Sequence, residues 1–458
     1  MTEIYKKFIK DTNKIPFDLV HRNKIKFNIS KYYAAVNKGM PQYDDLEKAK
    51  NRASKLKRNV INNLDKYLVE FESNFQANGG KVIWAQDSKE AINAVKKIIR
   101  KYDAKLIVKS KSMTTEEIDF NEHIENSNTE VLETDLGEYI VQLDNDKPYH
   151  IVTPAMHKSK EDIAELFNKK FNTPIDYTPE QLTAFVRKLL REKFIRADIG
   201  ITGGNFLIAD IGAVALTENE GNALMSFSMP KIHIAIVGIE KLIPSIKDMD
   251  LFWSILSTHG TGQKITVYNS IISGPRKENE ADGPDEMYVV LLDNGRTNLL
   301  KQEEQREALT CIRCGACLNF CPVYKNIGGH AYGTTYSGPI GAVITPHLKP
   351  MDKYKHLSFA SSLCGTCTEV CPVKINLHKL LLLNRRDAVK NNYIKKSEKF
   401  TMTAYKTAMK NRWMIDLANS SVKNVALKMF FKKAWGPRRE LPKVHEKPFN
   451  KRWKEERE

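Results

Sequence analysis

All seven cysteines of this 458-residue chain fall between Cys311 and Cys371, and they form a repeat. The first run, "CIRCGACLNFCPV", carries Cys311, Cys314, Cys317 and Cys321, the last followed by Pro322. The second, "SSLCGTCTEVCPV", sets Cys364, Cys367, Cys371 and Pro372 against Cys314, Cys317, Cys321 and Pro322, and leaves Ser361 opposite Cys311. A secreted disulfide scaffold spreads an even number of cysteines through a small chain, whereas grouped thiols in a reducing compartment bind metal. Zinc takes four closed ligands, and C-x2-C pairs can supply them. It gives no reason for three cysteines spaced by two, with a fourth three residues on and flanked by proline. Iron–sulfur chemistry does.

In that spacing, three thiolates on a tight loop grip three corners of one cube, and the fourth cysteine, turned by its proline, ligates a second cube. Applied here, cluster 1 takes Cys311, Cys314, Cys317 and Cys371. Cluster 2 takes Cys321, Cys364 and Cys367, and its fourth corner falls at Ser361. A serine hydroxyl is a poor ligand unless deprotonated. The second site is therefore either [3Fe–4S], or four-iron with a corner held by water, Ser361, a partner's side chain or substrate. A relay needs only that the iron be held, while an open iron could also bind something.

The cysteine runs need elements to position them. Their flanks, "QEEQREALT" and "INLHKLLLLNRRDAV", read as helices. Residues 1–78 read as helical and polar, with Leu56, Val60, Leu64, Tyr67 and Leu68 at helical spacing and Gly79-Gly80 closing the segment. From Lys81 short apolar strands alternate with helices. "KVIWA" precedes an amphipathic helix with Ala91, Val95 and Ile98 inward, and "AKLIVKS" follows it. Mixed helix and strand run through "EEIDFNEHIEN", "TEVLETD" and "EYIVQL", then a long helix over "EQLTAFVRKLLREKF". Strands are expected at "HIAIVGI", "KITVYNSII" and "MYVVLLD". This is the pattern of an α/β layer. The expected domains are an N-terminal helical segment, 1–78; an α/β domain, 79–300; a helical cysteine domain, 301–390; and a basic C-terminal region, 391–458. That last region reads as helical to about Ala434 and extended beyond, where prolines discourage helix.

Composition narrows the function. No stretch approaches the roughly 18 apolar residues of a membrane span, and the charged start lacks a secretory signal, so a cytoplasmic protein is expected. The formal charge of +17 belongs to the two ends: residues 1–80 carry sixteen basic against nine acidic side chains, and residues 385–458 carry twenty-one against eight. Such ends are solvated helical faces, or they dock to an acidic partner or the anionic inner face of a membrane. No nucleic acid is expected, because no recognition motif accompanies the charge.

"CIRCGACLNFCPVY", "GGHAYGTTYSGPIGAVITP" and "SSLCGTCTEVCPVKINLHKLLL" closely resemble the lactate utilization protein B family, as do "NLDKYLVEFESNFQANGGKVIWA", "GITGGNFLIADIGAVALTENEGN" and "WGPRRELP". The resemblance implies an α/β domain of ribose-phosphate isomerase or CoA-transferase type, followed by a helical ferredoxin domain. It also implies two [4Fe–4S] clusters, the second on three cysteines, and electron transfer in L-lactate oxidation to pyruvate beside two partner proteins. Within the α/β domain, Gly200–Phe206 and Thr217–Asn222 are the loops expected to line any pocket. Gly203-Gly204 lets backbone amides approach an anion. Glu218 and Glu220 offer a nucleophile or base for acyl transfer or dehydration, or else only shape their turn. The histidines are scattered; His330, in the Gly-rich insert between the cysteine runs, either sits near a cluster or, as expected first, makes a structural hydrogen bond.

The expected protein is thus an electron-transfer subunit, since no flavin or nicotinamide fingerprint is present to take a hydride. Membrane quinone is a candidate terminal acceptor. An enzyme using the Glu218/Glu220 pocket or the open iron is the alternative, and a zinc-bound scaffold is the third reading.

Overall fold

The computed structural model describes residues 2–125, 129–416, 418–435 and 440–457. Residues 1–387 make one compact unit and residues 388–458 another.

The first unit is built on a parallel sheet. Its strands are β1 (Lys81–Ala85), β2 (Leu106–Lys109), β3 (Glu130–Glu133) and β4 (Ile199–Thr202). After β5 (Phe206–Ile208) and β6 (Ala213–Glu218) come β7 (Ile232–Gly238), β8 (Leu242–Ile243), β9 (Tyr268–Ile272) and β10 (Glu286–Leu292). Six of them form one sheet in the order β1-β10-β7-β4-β2-β3, every neighbouring pair parallel. The continuous apolar runs of β7 and β10 follow from burial on both faces. Ala91, Val95 and Ile98 of the helix after β1 pack onto that sheet. A smaller sheet, β8-β5-β6-β9, shares a core with one face of the large sheet, where Leu207, Val214 and Leu216 meet Ala235, Val237, Val289 and Leu291.

Sequence and structure part at three places. The flank "QEEQREALT", read as helix, is turn up to Gln305 and a short 3-10 helix over Arg306–Thr310. In the mixed stretch, "EYIVQL" falls in a helix, Leu136–Leu143, because the Asp135 carboxylate caps it by accepting from the Glu138 N–H. The periodic stretch around Leu56 and Leu68 is two helices, Leu46–Asn62 and Leu64–Ala77, broken at Asn63. The expected extended tail ends in a helix, Phe449–Glu455, where the prolines stop and Phe449 and Trp453 meet one turn apart with ring centroids at 5.7 Å. Residues 436–439 of that tail lie outside the described residues.

The N-terminal helices pack on the rest of the unit. Lys57, fully buried on Leu46–Asn62, donates to the Glu240 and Leu242 carbonyls at 2.7 and 2.9 Å. From the same helix, Lys50 reaches the Glu369 carbonyl and Arg58 pairs with Glu307, so one helix touches both cysteine flanks.

A buried ion network ties the sheet to the cysteine region. Arg296, after β10, donates to Glu117 through both terminal nitrogens at 2.9 Å and to Glu240 through Nε at 2.5 Å. Arg313, between Cys311 and Cys314, reaches the other Glu240 oxygen at 3.3 Å and lies over the Tyr336 ring. The Tyr336 hydroxyl closes the ring of contacts by donating to Glu117 at 2.5 Å. Gly238 is required for space: an added Cβ would lie 2.2 Å from Glu240 Oε2 and 2.6 Å from Arg296 Nε.

The second unit is helical, with Lys396–Lys410, Arg412–Asp416, Ser420–Ala426 and Phe449–Glu455 among its elements. It exposes Phe400, Met429, Phe430 and Phe449. Among the described residues, no helix is long and apolar enough to cross a membrane.

Removing Glu240 leaves Arg296 and Arg313 buried with uncompensated charge, so Glu240→Ala should lower stability by about 3–5 kcal/mol. Burial alone would raise the Glu240 pKa, but Arg296 and then Arg313 bring it down to about 2. Because the folded pKa is depressed, its stabilisation is present above the unfolded carboxylate range and lost as pH falls from about 4.5 toward 2. Denaturant midpoints across that window should fall in the native chain and stay flatter in Glu240→Ala. Equal slopes would remove Glu240 as the cause.

Candidate metal centre

The cysteine region is a series of short helices joined by tight turns, and the two runs fold alike. Arg313 and Gly315 have φ of 61° and 78°, and Leu363 and Gly365, at the matching positions, have 56° and 86°. These left-handed residues curl each loop so that its side chains converge. Glycine takes the conformation freely, and in Arg313 the network above holds a residue that seldom adopts it. Pro322 starts the helix Pro322–Ile327, where its missing N–H costs nothing, and the Cys321 thiol caps that helix by accepting from the Tyr324 N–H at 3.5 Å.

Cys311, Cys314, Cys317 and Cys371 line one cavity, walled by Ile312, Ile340, Val373 and Leu377. Cys371 thus joins the first run across the chain, and Cys321 is not among the lining residues. Cys321 and Cys367 instead interact electrostatically with each other and with Cys364. The first set is enclosed, with Cys314, Cys317 and Cys371 buried; in the second, Cys364 is exposed.

The donor set suits an iron–sulfur group. Burial pushes the Cys314 and Cys317 thiols up, takes Cys371 to about 12 and Cys367 to about 11. Bare thiolates are therefore disfavoured there, and four converging sulfurs call for a cationic core. Cys364, by contrast, is shifted down by its hydrogen bonds with the Thr366 hydroxyl and backbone N–H. Backbone amides also face the sulfurs: Arg313 N–H donates to Cys311 Sγ and Ile375 N–H to Cys371 Sγ, both at 3.4 Å.

Ser361 repeats the Cys311 geometry. Its Oγ accepts from the Leu363 N–H at 3.1 Å, two residues on, as Cys311 Sγ accepts from Arg313. The serine oxygen therefore stands where the repeat would put a sulfur.

A second cavity, of about 590 Å³, adjoins the first, and Arg313 and Cys314 line both. Its walls come from the loops after β2, β3, β4 and β7 and from the turn after β6. Gly203, Gly204, Glu218 and Glu220 are all there. The two carboxylates shape the turn: Glu218 accepts from the Ala223 and Leu224 N–H groups at 2.7 Å, and Glu220 from the Leu136 N–H at 3.2 Å. Burial raises the pKa of both, with Asp135 adding to it for Glu220. His330 makes a structural bond, to the Lys147 carbonyl at 2.7 Å. Sequence reasoning missed Lys111, Lys241 and Arg313 in this cavity. The signal for Lys241 was a charged pair, Glu240-Lys241, set inside the apolar run "HIAIVGIEKLIP".

Residues 68–292 match the family model of the LUD domain, and residues 307–375 match that of the 4Fe-4S dicluster domain. The class is thus a mixed α/β domain with a parallel sheet, followed by a helical iron–sulfur domain. Curated relatives are named Lactate utilization protein B. The one from Geobacillus sp. is 44% identical over 86% of this chain and 85% of its own length. That of Bacillus velezensis is 48% identical over 78% of this chain and 75% of its own, and that of Bacillus subtilis 47% over 78% and 75%. The chain belongs to the lactate utilization protein B family. A solved DUF162 family protein from Deinococcus radiodurans aligns with 50% of this chain and 98% of its own, at 12% identity and a TM-score of 0.29.

Ser361→Cys should complete the second run. A thiolate is a softer ligand than an alkoxide or water, so iron should be retained longer in air and the second reduction potential should fall. Iron content after timed air exposure and a redox titration followed by electron paramagnetic resonance check this. An unchanged spectrum and potential would place Ser361 away from the corner.

Proposed function

We propose that the chain is an iron–sulfur electron-transfer subunit in the oxidation of L-lactate to pyruvate. The observation that carries this reading is the pairing of thiol sets, one enclosed and one reaching the surface at Cys364. Cys311, Cys314, Cys317 and Cys371 hold cluster 1. Cys321, Cys364 and Cys367 hold cluster 2, with Ser361 Oγ at its fourth corner. Both would be [4Fe–4S], the second held by three cysteines, or [3Fe–4S] where its fourth corner is unfilled. Each group, when bound, supplies a one-electron site whose potential follows its ligands, hydrogen bonds and burial.

The chain's own residues set those conditions. Ile312, Ile340, Val373 and Leu377 keep water from the first set. The Arg313 and Ile375 amides stabilise negative charge on its sulfurs. The exposed Cys364 gives the second set a short path to another protein. We read the α/β domain as related to ribose-phosphate isomerase and CoA-transferase folds, a reading its parallel sheet supports. Glu218 and Glu220 give the acyl-transfer alternative less support, because their oxygens are taken up by backbone amides.

Two partner lactate utilization proteins complete the assembly, and membrane quinone is the terminal acceptor. The strongly basic second unit, with its exposed aromatic side chains, provides the docking surface at the inner face of the membrane.

Iron and sulfide analysis with electron paramagnetic resonance on anaerobically purified protein tests the reading. Cys371→Ala should remove the signal of the first cluster and Cys321→Ala that of the second. If each change disturbs the cluster of its own run, the ligand exchange is wrong; zinc without sulfide would sink the whole reading.

Truncation after Asn392 should leave iron content intact and weaken binding to anionic vesicles. In the full chain that binding should fall as salt shortens the screening length to about 8 Å near physiological strength. Lost iron with undiminished vesicle binding would reverse this division of labour.

A further inference from the structure

The cavity of about 590 Å³ lies where an open parallel sheet binds ligands. In the order β3-β2-β4-β7-β10, the chain winds outward from β2 in one direction to β3 and in the other through β4, β7 and β10. The direction reverses between β2 and β4, and ligands of open α/β sheets sit beyond the carboxyl ends of the strands at that point. Ser110–Thr114 follow β2 and Gly203–Asn205 follow β4, and both segments line the cavity. Its volume lies within the roughly 300–1,000 Å³ typical of small-molecule sites.

Among the polar groups in its wall are Asp135, Glu218, Glu220 and Lys111, which donates to the Val152 carbonyl and lies 3.6 Å from Asp135. Lys241, Arg313 and Tyr336 line it as well, together with Cys314. Arg313 is already paired with Glu240, but its Nη1 is buried without a hydrogen-bond partner. Lys241 is only 9% exposed, and among the described residues no hydrogen bond or ion pair reaches its ammonium. A buried lysine left without an anion is costly, and here it faces a cavity instead of a carboxylate. One unmatched charge and one free guanidinium nitrogen fit a monoanionic head. A dianion would be left partly unmatched, with three carboxyl groups also in the wall.

We propose that this cavity binds a 2-hydroxy- or 2-oxo-monocarboxylic acid, with its carboxylate between Lys241 and Arg313, against the wall that carries Cys314. The choice of acid rests on the proposed role in lactate oxidation; the anion site itself rests on the geometry. The chain would then hold the organic acid beside its enclosed thiol set, so that the first cluster and the acid share Cys314 and Arg313 as neighbours. The site is not built on Glu218 and Glu220, whose oxygens are engaged.

The test uses full-length protein, purified anaerobically with its iron loaded. Pyruvate, L-lactate, the neutral L-lactamide and inorganic phosphate are titrated by calorimetry, and the reduced protein is followed by electron paramagnetic resonance. Pyruvate or L-lactate should bind saturably and shift one cluster signal, while L-lactamide and phosphate should do neither. Lys241→Met should weaken acid binding roughly tenfold or more, and Lys241→Arg should retain most of it. The proposal is overturned if neither acid binds, if lactamide or phosphate binds as well as the acids, or if a folded, iron-loaded Lys241→Met binds them like the native protein. Should Lys241→Met fail to fold, the comparison of lactate with lactamide on the native chain decides. Full, reducible clusters with no acid binding would sink this site and leave the electron-transfer reading standing. Clusters that cannot be reduced would sink that reading, while calorimetry would still judge the site.

Discussion

Glu240 sits between two guanidinium groups in a region closed to solvent, and the placement of the cysteines depends on it. Charges taken out of water are expensive, and their mutual attraction repays the cost only when geometry and hydrogen bonding are nearly complete. Here Arg296 is saturated by Glu117 and Glu240, and Glu117 is further held by Asn294 and Tyr336. Glu117 follows β2, Glu240 follows β7 and Arg296 follows β10, so one network fastens three strand ends. Through Arg313 it also fixes the turn between Cys311 and Cys314. The strained φ of Arg313 is tolerable because its side chain is gripped at the far end. A hydrophobic core could have joined the two regions with less desolvation cost, but it would not have fixed the direction of that loop.

The same constraint explains why the two thiol sets differ although their loops have the same backbone. The first run is pressed against the sheet by Arg313, and its thiols are enclosed. In the second run the matching residue is Leu363, which brings no charge and finds no such anchor; its loop is held from outside, where Arg385 donates to the Ser361 carbonyl at 2.8 Å. Cys364 consequently reaches solvent. An enclosed set and an accessible set on one rigid unit make a directional pair, since only the second can be approached closely by a partner.

Much of this was legible in the sequence because it depends on local spacing. The strands "HIAIVGI" and "MYVVLLD" are short apolar runs of the kind a doubly covered parallel sheet requires and form β7 and β10, while the half-exposed "KVIWA" forms the edge strand β1. The spacing suggests that Cys321 and Cys371 exchange between runs, and the fold lines the first cavity with Cys371 and not with Cys321. "EYIVQL" could be read only as part of a mixed stretch, because its β-branched and aromatic composition suits a strand while a single aspartate ahead of it decides for helix. Lys241 and Arg313 could not be paired from sequence, since they come to one cavity only when Arg313 of the cysteine run reaches Glu240, which follows β7. Glu218 and Glu220 were found by their place in a turn, but their use as backbone acceptors is a property of the folded turn.

The two kinds of positive charge in this chain therefore do different work. At its C-terminal end the excess is mostly exposed, so it acts over a screening length and carries no information about fold. Inside the first unit the cations around Glu240 have fixed neighbours: Lys57 has two carbonyls, Arg296 two carboxylates, and Arg313 one carboxylate and one ring. Lys241 breaks that rule. It follows Glu240 directly, yet Glu240 spends its two oxygens on the arginines, so the lysine beside it is left facing the cavity. The arrangement that makes the cysteine turn rigid is thus also what frees a buried ammonium next to it. A fold that needed only to hold metal could have placed any apolar residue there.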